Sequence, residues 1–334
     1  MYEKFYGFKE KPFNITPDSR FFYPSPKHSE ALDRLYYAIT ERRGFVVITG
    51  EIGAGKTTVC RTLLNKLDSK TNVAMITNTN LNAKELIIAI LEDLQIPYKP
   101  ATKVKLIHQL NDYLLTQLNQ DNNIVLIIDE AQNLKPMVLE EIRMLSNLET
   151  EKEKLIQIIL LGQPQLRDKL RMRNLEQFKQ RIAIHYHLSF LNFQETIGYI
   201  KHRINVASLN GQRELFTPTA LEVIYAFSQG IPRIINLVCD HALLSGFVDE
   251  KETIDKETVE DGIKEIHMID ALAAFVPENF PHCCSECQVF QTCPTKWIRG
   301  EKKEEYICCP KCTQFAECRA HTVNVTKTKE KNDG

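Results

Sequence analysis

Residues Gly50-Glu51-Ile52-Gly53-Ala54-Gly55-Lys56-Thr57-Thr58 spell G-x-x-x-x-G-K-[ST], the pattern of a loop that wraps phosphate. Gly50, Gly53 and Gly55 let the backbone curl so that its N–H groups point inward at phosphate oxygens. Glu51, Ile52, Ala54 and Thr58 complete the cradle and its exit into a helix. Lys56 is placed to reach the β- and γ-phosphates, and Thr57 offers a hydroxyl to Mg²⁺. The ligand this predicts is ATP or a related nucleoside triphosphate with Mg²⁺. A second pair, Asp129-Glu130, ends the apolar run Ile124-Val125-Leu126-Ile127-Ile128. A carboxylate there can hold Mg²⁺, and its neighbour Glu130 can polarise an attacking water. Gln163, after Leu160-Leu161-Gly162, is polar at another strand end and could orient that water. Arg181 and Arg233 stand at a strand start and in a turn before a helix, where a guanidinium could meet γ-phosphate charge, its own or a neighbour's. Arg171, Arg173 and Arg203 are rivals for that work.

These residues need elements to position them. Strand patterns fall at 44–49, 72–77, 124–129, 155–162 and 182–188. Between them apolar residues recur at helical spacing, at 57–67, 83–94, 104–118 and 135–149. Such alternation predicts an α/β fold with a mostly parallel sheet covered on both faces. An aromatic- and proline-rich N-terminal segment, 1–43, precedes this ATPase domain, 44–191, and carries a helix pattern from 29 to 43. From 192 to 275 only helical spacing appears (196–207, 218–228, 231–248, 256–274), which predicts an all-helical lid domain. Cys60 and Cys239 lie singly in helical patterns and read as buried thiols.

Residues 276–321 are different: eight of the ten cysteines lie there. Cys283-Cys284-x-x-Cys287-x-x-Phe290-x-x-Cys293 repeats 25 residues later as Cys308-Cys309-x-x-Cys312-x-x-Phe315-x-x-Cys318. Cys284/Cys287 and Cys309/Cys312, two C-x-x-C pairs, suit one tetrahedral Zn²⁺, and Cys283, Cys293, Cys308 and Cys318 suffice for a second. A segment so poor in aliphatic residues cannot build a core, and a metal would supply the missing stability. An iron–sulfur cluster is the alternative, followed by disulfides or a redox switch. The polar stretch 322–334 reads as a disordered tail.

Composition is that of a globular protein, 43% hydrophobic and 25% charged, with a net charge of −1. That balance excludes a global basic field for nucleic acid or acidic lipid. Neither a signal peptide nor a transmembrane segment is visible, so a cytoplasmic location is expected.

The chain resembles AAA+ ATPases of the ExeA (GspA) type, from general secretion pathways and pilus biogenesis, within the origin-recognition-like AAA+ group. The resemblance runs from residue 1 to about 269. It is carried by Tyr6-Gly7-Phe8, Pro12-Phe13 and Thr16-Pro17-Asp18. Further on it rests on Thr49-Gly50-Glu51, Asp129-Glu130-Ala131-Gln132, Ile142-Arg143-Met144-Leu145-Ser146-Asn147-Leu148-Glu149-Thr150, Leu161-Gly162-Gln163-Pro164 and Gly230-Ile231-Pro232-Arg233. It implies sensor 1 at Gln163, an arginine finger at Arg181 acting in trans within an oligomer, and sensor 2 at Arg233 in the helical lid. It also implies an N-terminal segment near the adenine, with Phe22, Tyr23 and His28 as candidates. Membrane-anchored members follow the ATPase with a transmembrane helix and a peptidoglycan-binding domain. Here the cysteine module takes that place, so peptidoglycan binding is not carried over.

The expectation is a Mg²⁺-dependent ATP-hydrolysing switch whose partner is a protein of secretion, pilus or envelope-export machinery, met peripherally at the inner membrane. The alternative is a DNA-linked ATPase, of the transposition-helper or initiator kind, reading DNA through the cysteine module. The even charge balance weighs against it. A third reading, a nucleotide-gated scaffold without turnover, is opposed by Glu130.

Overall fold

The computed structural model describes residues 1–268 except 152, 173, 174, 210, 212 and 213. The eight clustered cysteines with their module, the tail at 322–334 and Arg173 lie outside the described residues. The chain forms two compact units. The larger holds Gly7–Arg213 and Gly230–Asn236; the smaller holds Met1–Tyr6, Glu214–Gln229 and the described residues from Leu237 on.

The larger unit is built on five strands: β1 (Phe45–Gly50), β2 (Thr71–Ile76), β3 (Asn123–Ile128), β4 (Gln157–Gly162) and β5 (Ile182–Leu188). They form one sheet in the order β2-β3-β4-β1-β5, and every pairing is parallel. The helices in chain order are α1 (Tyr2–Tyr6), α2 (Pro26–Thr40), α3 (Lys56–Leu64), α4 (Ala83–Asp93), α5 (Lys103–Asn119) and α6 (Pro136–Leu145). They continue as α7 (Pro164–Leu170), α8 (Glu176–Lys179), α9 (Phe193–Ala207), α10 (Pro218–Ser228), α11 (Pro232–Val248) and α12 (Lys256–Met268).

Alternation along each strand feeds two separate cores. Phe45, Val47, Leu126, Ile128, Ile158 and Leu160 pack with α4, α5 and α6. Val46, Ile48, Val125, Ile127, Ile159 and Leu161 pack with α2 and α3. Because both faces are covered, β1 and β4 are buried at every residue, the mark of a parallel sheet between helical layers. The edge strand β5 instead alternates half-buried and exposed residues up to Leu188.

The expected strands and long helices are present, with shifted ends. The helix read over 135–149 stops at Leu145, where the Ser146 hydroxyl donates to the Arg143 carbonyl. The chain then turns through an isolated Glu149–Lys154 bridge, so the strand read from 155 starts at Gln157. Helices α7 and α8 span 7 and 4 residues, too short to show a helical period.

In the smaller unit the Tyr2 hydroxyl donates to the Asp240 carboxylate, and Tyr6 to the Lys251 carbonyl at 3.0 Å. Gly262 packs where a Cβ would stand 3.1 Å from the Ala242 nitrogen, so its helix lies close on α11. Cys60 and Cys239 are buried free thiols, as expected, and burial pushes Cys60 up to about 12. Among the described residues no helix is long and apolar enough to cross a membrane.

Candidate functional site

The strand order decides where the candidate residues meet. Parallel strands bring their C-terminal ends to one edge of the sheet. With β4 between β1 and β3, Gly50 ends β1 there while Gln163 and Asp129 follow β4 and β3, and Thr49 is level with Gly162.

The phosphate loop leaves β1 at Gly50 and enters α3 at Lys56. Gly53 and Gly55 have φ of 78° and 95°, a region that disfavours any residue with a Cβ. Space forbids one as well: at Gly53 it would lie 2.8 Å from the Arg233 Cβ, and at Gly50 2.7 Å from the Leu188 carbonyl oxygen. The loop is thus a cradle whose floor is bare backbone, with the unpaired N–H groups of the α3 N-terminus beyond it. Lys56 is buried and donates to the carbonyls of Gly50 at 2.8 Å and Glu51 at 3.0 Å. Burial lowers its pKa, against the pull of the carboxylates of Glu130, Asp129 and Glu51. An incoming phosphate would add the negative charge this ammonium lacks.

A second brace comes from α2. His28 is buried with its Nε2 2.9 Å from the Ala54 carbonyl oxygen and its Nδ1 2.7 Å from the Ser25 hydroxyl. A carbonyl only accepts, so Nε2 carries the proton and the Ser25 hydroxyl donates to Nδ1. His28 therefore supports the loop from behind, although it also lines the cavity described below.

Thr57 and Asp129 come together as the metal reading requires. The Thr57 hydroxyl donates to Asp129 Oδ2 at 2.8 Å, and the Glu130 N–H donates to Oδ1 at 2.9 Å. These are hard oxygen donors beside a phosphate cradle, and they fit Mg²⁺, which keeps waters and phosphate oxygens as its other ligands. Glu130 sits at φ 51°, ψ 37°. A left-handed conformation costs a non-glycine residue about 1–2 kcal/mol, and such strain gathers at functional positions. Its Oε2 accepts from Gln132 Nε2 at 2.5 Å and from Gln163 Nε2 at 3.3 Å. Gln163 is extended and precedes Pro164, the first residue of α7. Proline disfavours the helical region for its predecessor, which leaves Gln163 at the strand end, off the helix.

Arg233 reaches the loop through a close turn. Gly230 has φ 74°, and a Cβ there would stand 1.8 Å from the Leu191 carbonyl oxygen. The backbone passes that tightly, the Leu191 N–H donates to the Gly230 carbonyl at 3.0 Å, and Arg233 packs on Gly53.

A cavity of 430 Å³ opens over these residues, a size suited to a nucleotide. Gly53, Gly55, Lys56, Thr57, Glu130 and Arg233 line it, and Ile52 and Thr58 also border it. Its other walls include Phe22, Tyr23 and the stretch from Asn14 to Asp18. That stretch is held by Arg203, a buried residue of α9. Its guanidinium donates to the carbonyls of Pro12 at 2.6 Å and Asn14 at 3.1 Å and to the Tyr199 hydroxyl at 2.9 Å. It also lies 4.7 Å from the Phe21 ring centroid, within cation–π range. Arg203 thus has a bracing role that its standing as a rival arginine did not foresee. Tyr199, Asn236 and Gln132 also carried no expected role, although Gln132 lies in Asp129-Glu130-Ala131-Gln132 and Asn236 ends the similar stretch Gly230-Ile231-Pro232-Arg233-Ile234-Ile235-Asn236.

Arg181 is elsewhere. It precedes β5, whose Ile182 pairs with Phe45 and whose Leu188 pairs with Gly50. Arg181 is therefore at the opposite end of the sheet, about 20 Å from its own phosphate loop at strand rise, donating to the Ser146 hydroxyl at 3.2 Å. Arg171 forms an exposed contact with Asp168 at 3.8 Å.

Comparison with known proteins agrees with this geometry. Residues 39–170 match the model of an AAA domain family. General secretion pathway protein A of Aeromonas hydrophila is 44% identical over 248 residues, which are 74% of this chain and 45% of that protein. The chain thus spans less than half the length of that relative. Among solved structures, the Aeropyrum pernix ORC2 protein in its ADPNP-ADP complexes aligns with a TM-score of 0.58 at 18% identity, over 80% of this chain and 75% of that one. The Aeropyrum pernix ORC1 protein in complex with DNA aligns with a TM-score of 0.59 at 16% identity, over 84% and 75%. At those identities the likeness is one of fold. With its phosphate loop, its Asp129-Glu130 strand end and its kinship to the secretion protein over three quarters of its length, the chain belongs to the ExeA/GspA type of AAA+ ATPase.

Proposed function

We propose that this chain binds MgATP in the 430 Å³ cavity and hydrolyses it to ADP and phosphate, using the cycle to switch the conformation or assembly of an envelope secretion machinery. The observation that carries the nucleotide chemistry is the contact of Thr57 with Asp129 at 2.8 Å beside a cradle that admits no Cβ, with Glu130 lining the same cavity. Lys56 exchanges its bonds to the Gly50 and Glu51 carbonyls for phosphate oxygens. Thr57 and Asp129 hold Mg²⁺, which neutralises phosphate charge when bound. Glu130 accepts a proton from the water whose oxygen attacks the γ-phosphorus while the bond to the β-γ bridging oxygen breaks. Gln163 orients that water, and Arg233 couples the γ-phosphate to the turn at Gly230. The secretion role is supported by the 44% identity to General secretion pathway protein A, and we place the protein on the cytoplasmic side, working through a protein partner.

Glu130→Gln tests both halves. It keeps the size of the side chain and removes the base, so nucleotide binding should persist while turnover falls by about 10²- to 10⁴-fold. The same substitution in the cell should block export. Normal turnover would remove Glu130 from the chemistry, and unimpaired export would sever the link to secretion.

A further inference from the structure

We infer that Gln132 is a positioning residue that sets Glu130 for its role as base; this rests on the proposed hydrolysis. Gln132 lies in the short helical turn Ala131–Asn133 directly after Glu130. Both ends of its amide are used. Oε1 accepts the main-chain N–H of Gln163 at 3.0 Å, and Nε2 donates to Glu130 Oε2 at 2.5 Å. The first bond decides the second. A main-chain N–H can only donate, so the amide must face it with its oxygen, and the NH₂ then has to face Glu130. The orientation is thus imposed by the end of β4 and not by Glu130 itself.

The surroundings keep the amide in place. Lys169 of α7 donates to the main-chain carbonyls of Gln132 and Leu134. Gly162 leaves room that a side chain would take, since a Cβ there would lie 3.1 Å from Gln132 Oε1. Gln163 Nε2 adds a second, longer bond to the same Glu130 oxygen at 3.3 Å. The consequence is an asymmetric carboxylate. Oε2 is tied to the protein by two amide donors, whereas Oε1 makes no hydrogen bond among the described residues, and Glu130 lines the cavity. A side chain with three rotatable bonds is thereby confined to one presentation, and the entropy of aligning it is met before the water arrives. Without Gln132, Glu130 would keep its charge and place in the chain but lose its aim.

The test uses the full-length protein, with ATP turnover, binding of a fluorescent ATP analogue and thermal unfolding measured for each variant. Gln132→Ala should lower kcat about tenfold or more, within the 10²- to 10⁴-fold attributable to a general base, with analogue affinity changed by less than about threefold. Placed in the Glu130→Gln background, the same substitution should cost less than about threefold in kcat, because residues that act through one another are not additive. Gln132→Glu keeps the acceptor for the Gln163 N–H and places a like charge beside Glu130. With the donor to Glu130 gone, kcat should fall at least as far as in Gln132→Ala. A kcat within twofold of wild type for Gln132→Ala or for Gln132→Glu, or a full additional loss in the Glu130→Gln background, would each overturn the inference. If wild type did not turn over ATP, or Glu130→Gln turned over normally, the hydrolytic reading itself would fall. An inactive Glu130→Gln beside a normal Gln132→Ala would overturn the inference alone.

Discussion

At the scale of single residues, the candidate site is a set of polar atoms that satisfy one another. Lys56 spends its protons on loop carbonyls, Thr57 on Asp129, and Gln163 on Glu130. His28 is the most exacting of the supports, since both ring nitrogens are committed. Burial holds its pKa below the ordinary value of 6.5, against the bond to Ala54. The folded protein therefore binds fewer protons at His28 than the unfolded chain. The stabilisation is complete above the unfolded pKa and is lost as pH falls below it toward the folded pKa. Urea unfolding should show wild type losing more stability between pH 7 and pH 5 than His28→Gln, in which the titrating group is gone. Parallel pH dependence in the two proteins would remove His28 from the account. Legibility differs sharply at this scale. The loop pattern around Lys56 and Thr57 and the strand end at Glu130 could be read from the chain because each is a matter of local spacing. His28 could not be given its bracing role, because its partner Ala54 is far along the chain and offers only a carbonyl, which every residue has.

At the scale of elements, the work is done by what stands at the ends of strands and helices. Gly50, Gln163 and Asp129 stand at the ends of adjacent strands, so a loop, an amide and a carboxylate converge without any one element being unusual. Helix α9 contributes differently, through one buried cation. Arg203 donates to Pro12, Asn14 and Tyr199 and so ties the N-terminal stretch that walls the cavity. Arg203→Met keeps much of the bulk and removes every donor. It should cost about 2–4 kcal/mol of stability, as expected for breaking a buried network of charge-assisted bonds, and should weaken nucleotide binding more than it slows turnover. Unfolding midpoints and analogue affinity measure both, and an unchanged midpoint would contradict the role. Element existence was well expressed in the sequence: the five strands were all anticipated, because apolar runs must alternate with amphipathic helices to cover a parallel sheet. Ends were expressed poorly. The stop at Leu145 depends on a serine hydroxyl and a backbone turn, and neither alters the apolar period that marks the helix.

At the scale of the whole molecule, the position of Arg181 matters most. It stands across the sheet from its own phosphate loop, so the expected finger role can be exerted only on another copy. If so, ATPase activity per mole should rise with protein concentration, and Arg181→Ala should bind nucleotide but turn over slowly. Mixing Arg181→Ala with Glu130→Gln should restore part of the activity, because one supplies Glu130 and the other Arg181. Activity independent of dilution, together with normal turnover in Arg181→Ala, would exclude the trans arrangement.

The sequence by itself determined the phosphate-loop pattern, the Asp129-Glu130 strand end, and the alternation of strands and helices. Each of these depends on neighbours within a single strand–loop–helix passage. Tertiary structure decided which of the remaining residues share the site. The insertion of β4 between β1 and β3 sets Gln132 and Gln163 on Glu130, the tight turn at Gly230 sets Arg233 on Gly53, and the direction of β5 keeps Arg181 away. The physical reason is that strand order and close backbone approach are non-local. They arise from how separated segments bury apolar surface together, which no local spacing records.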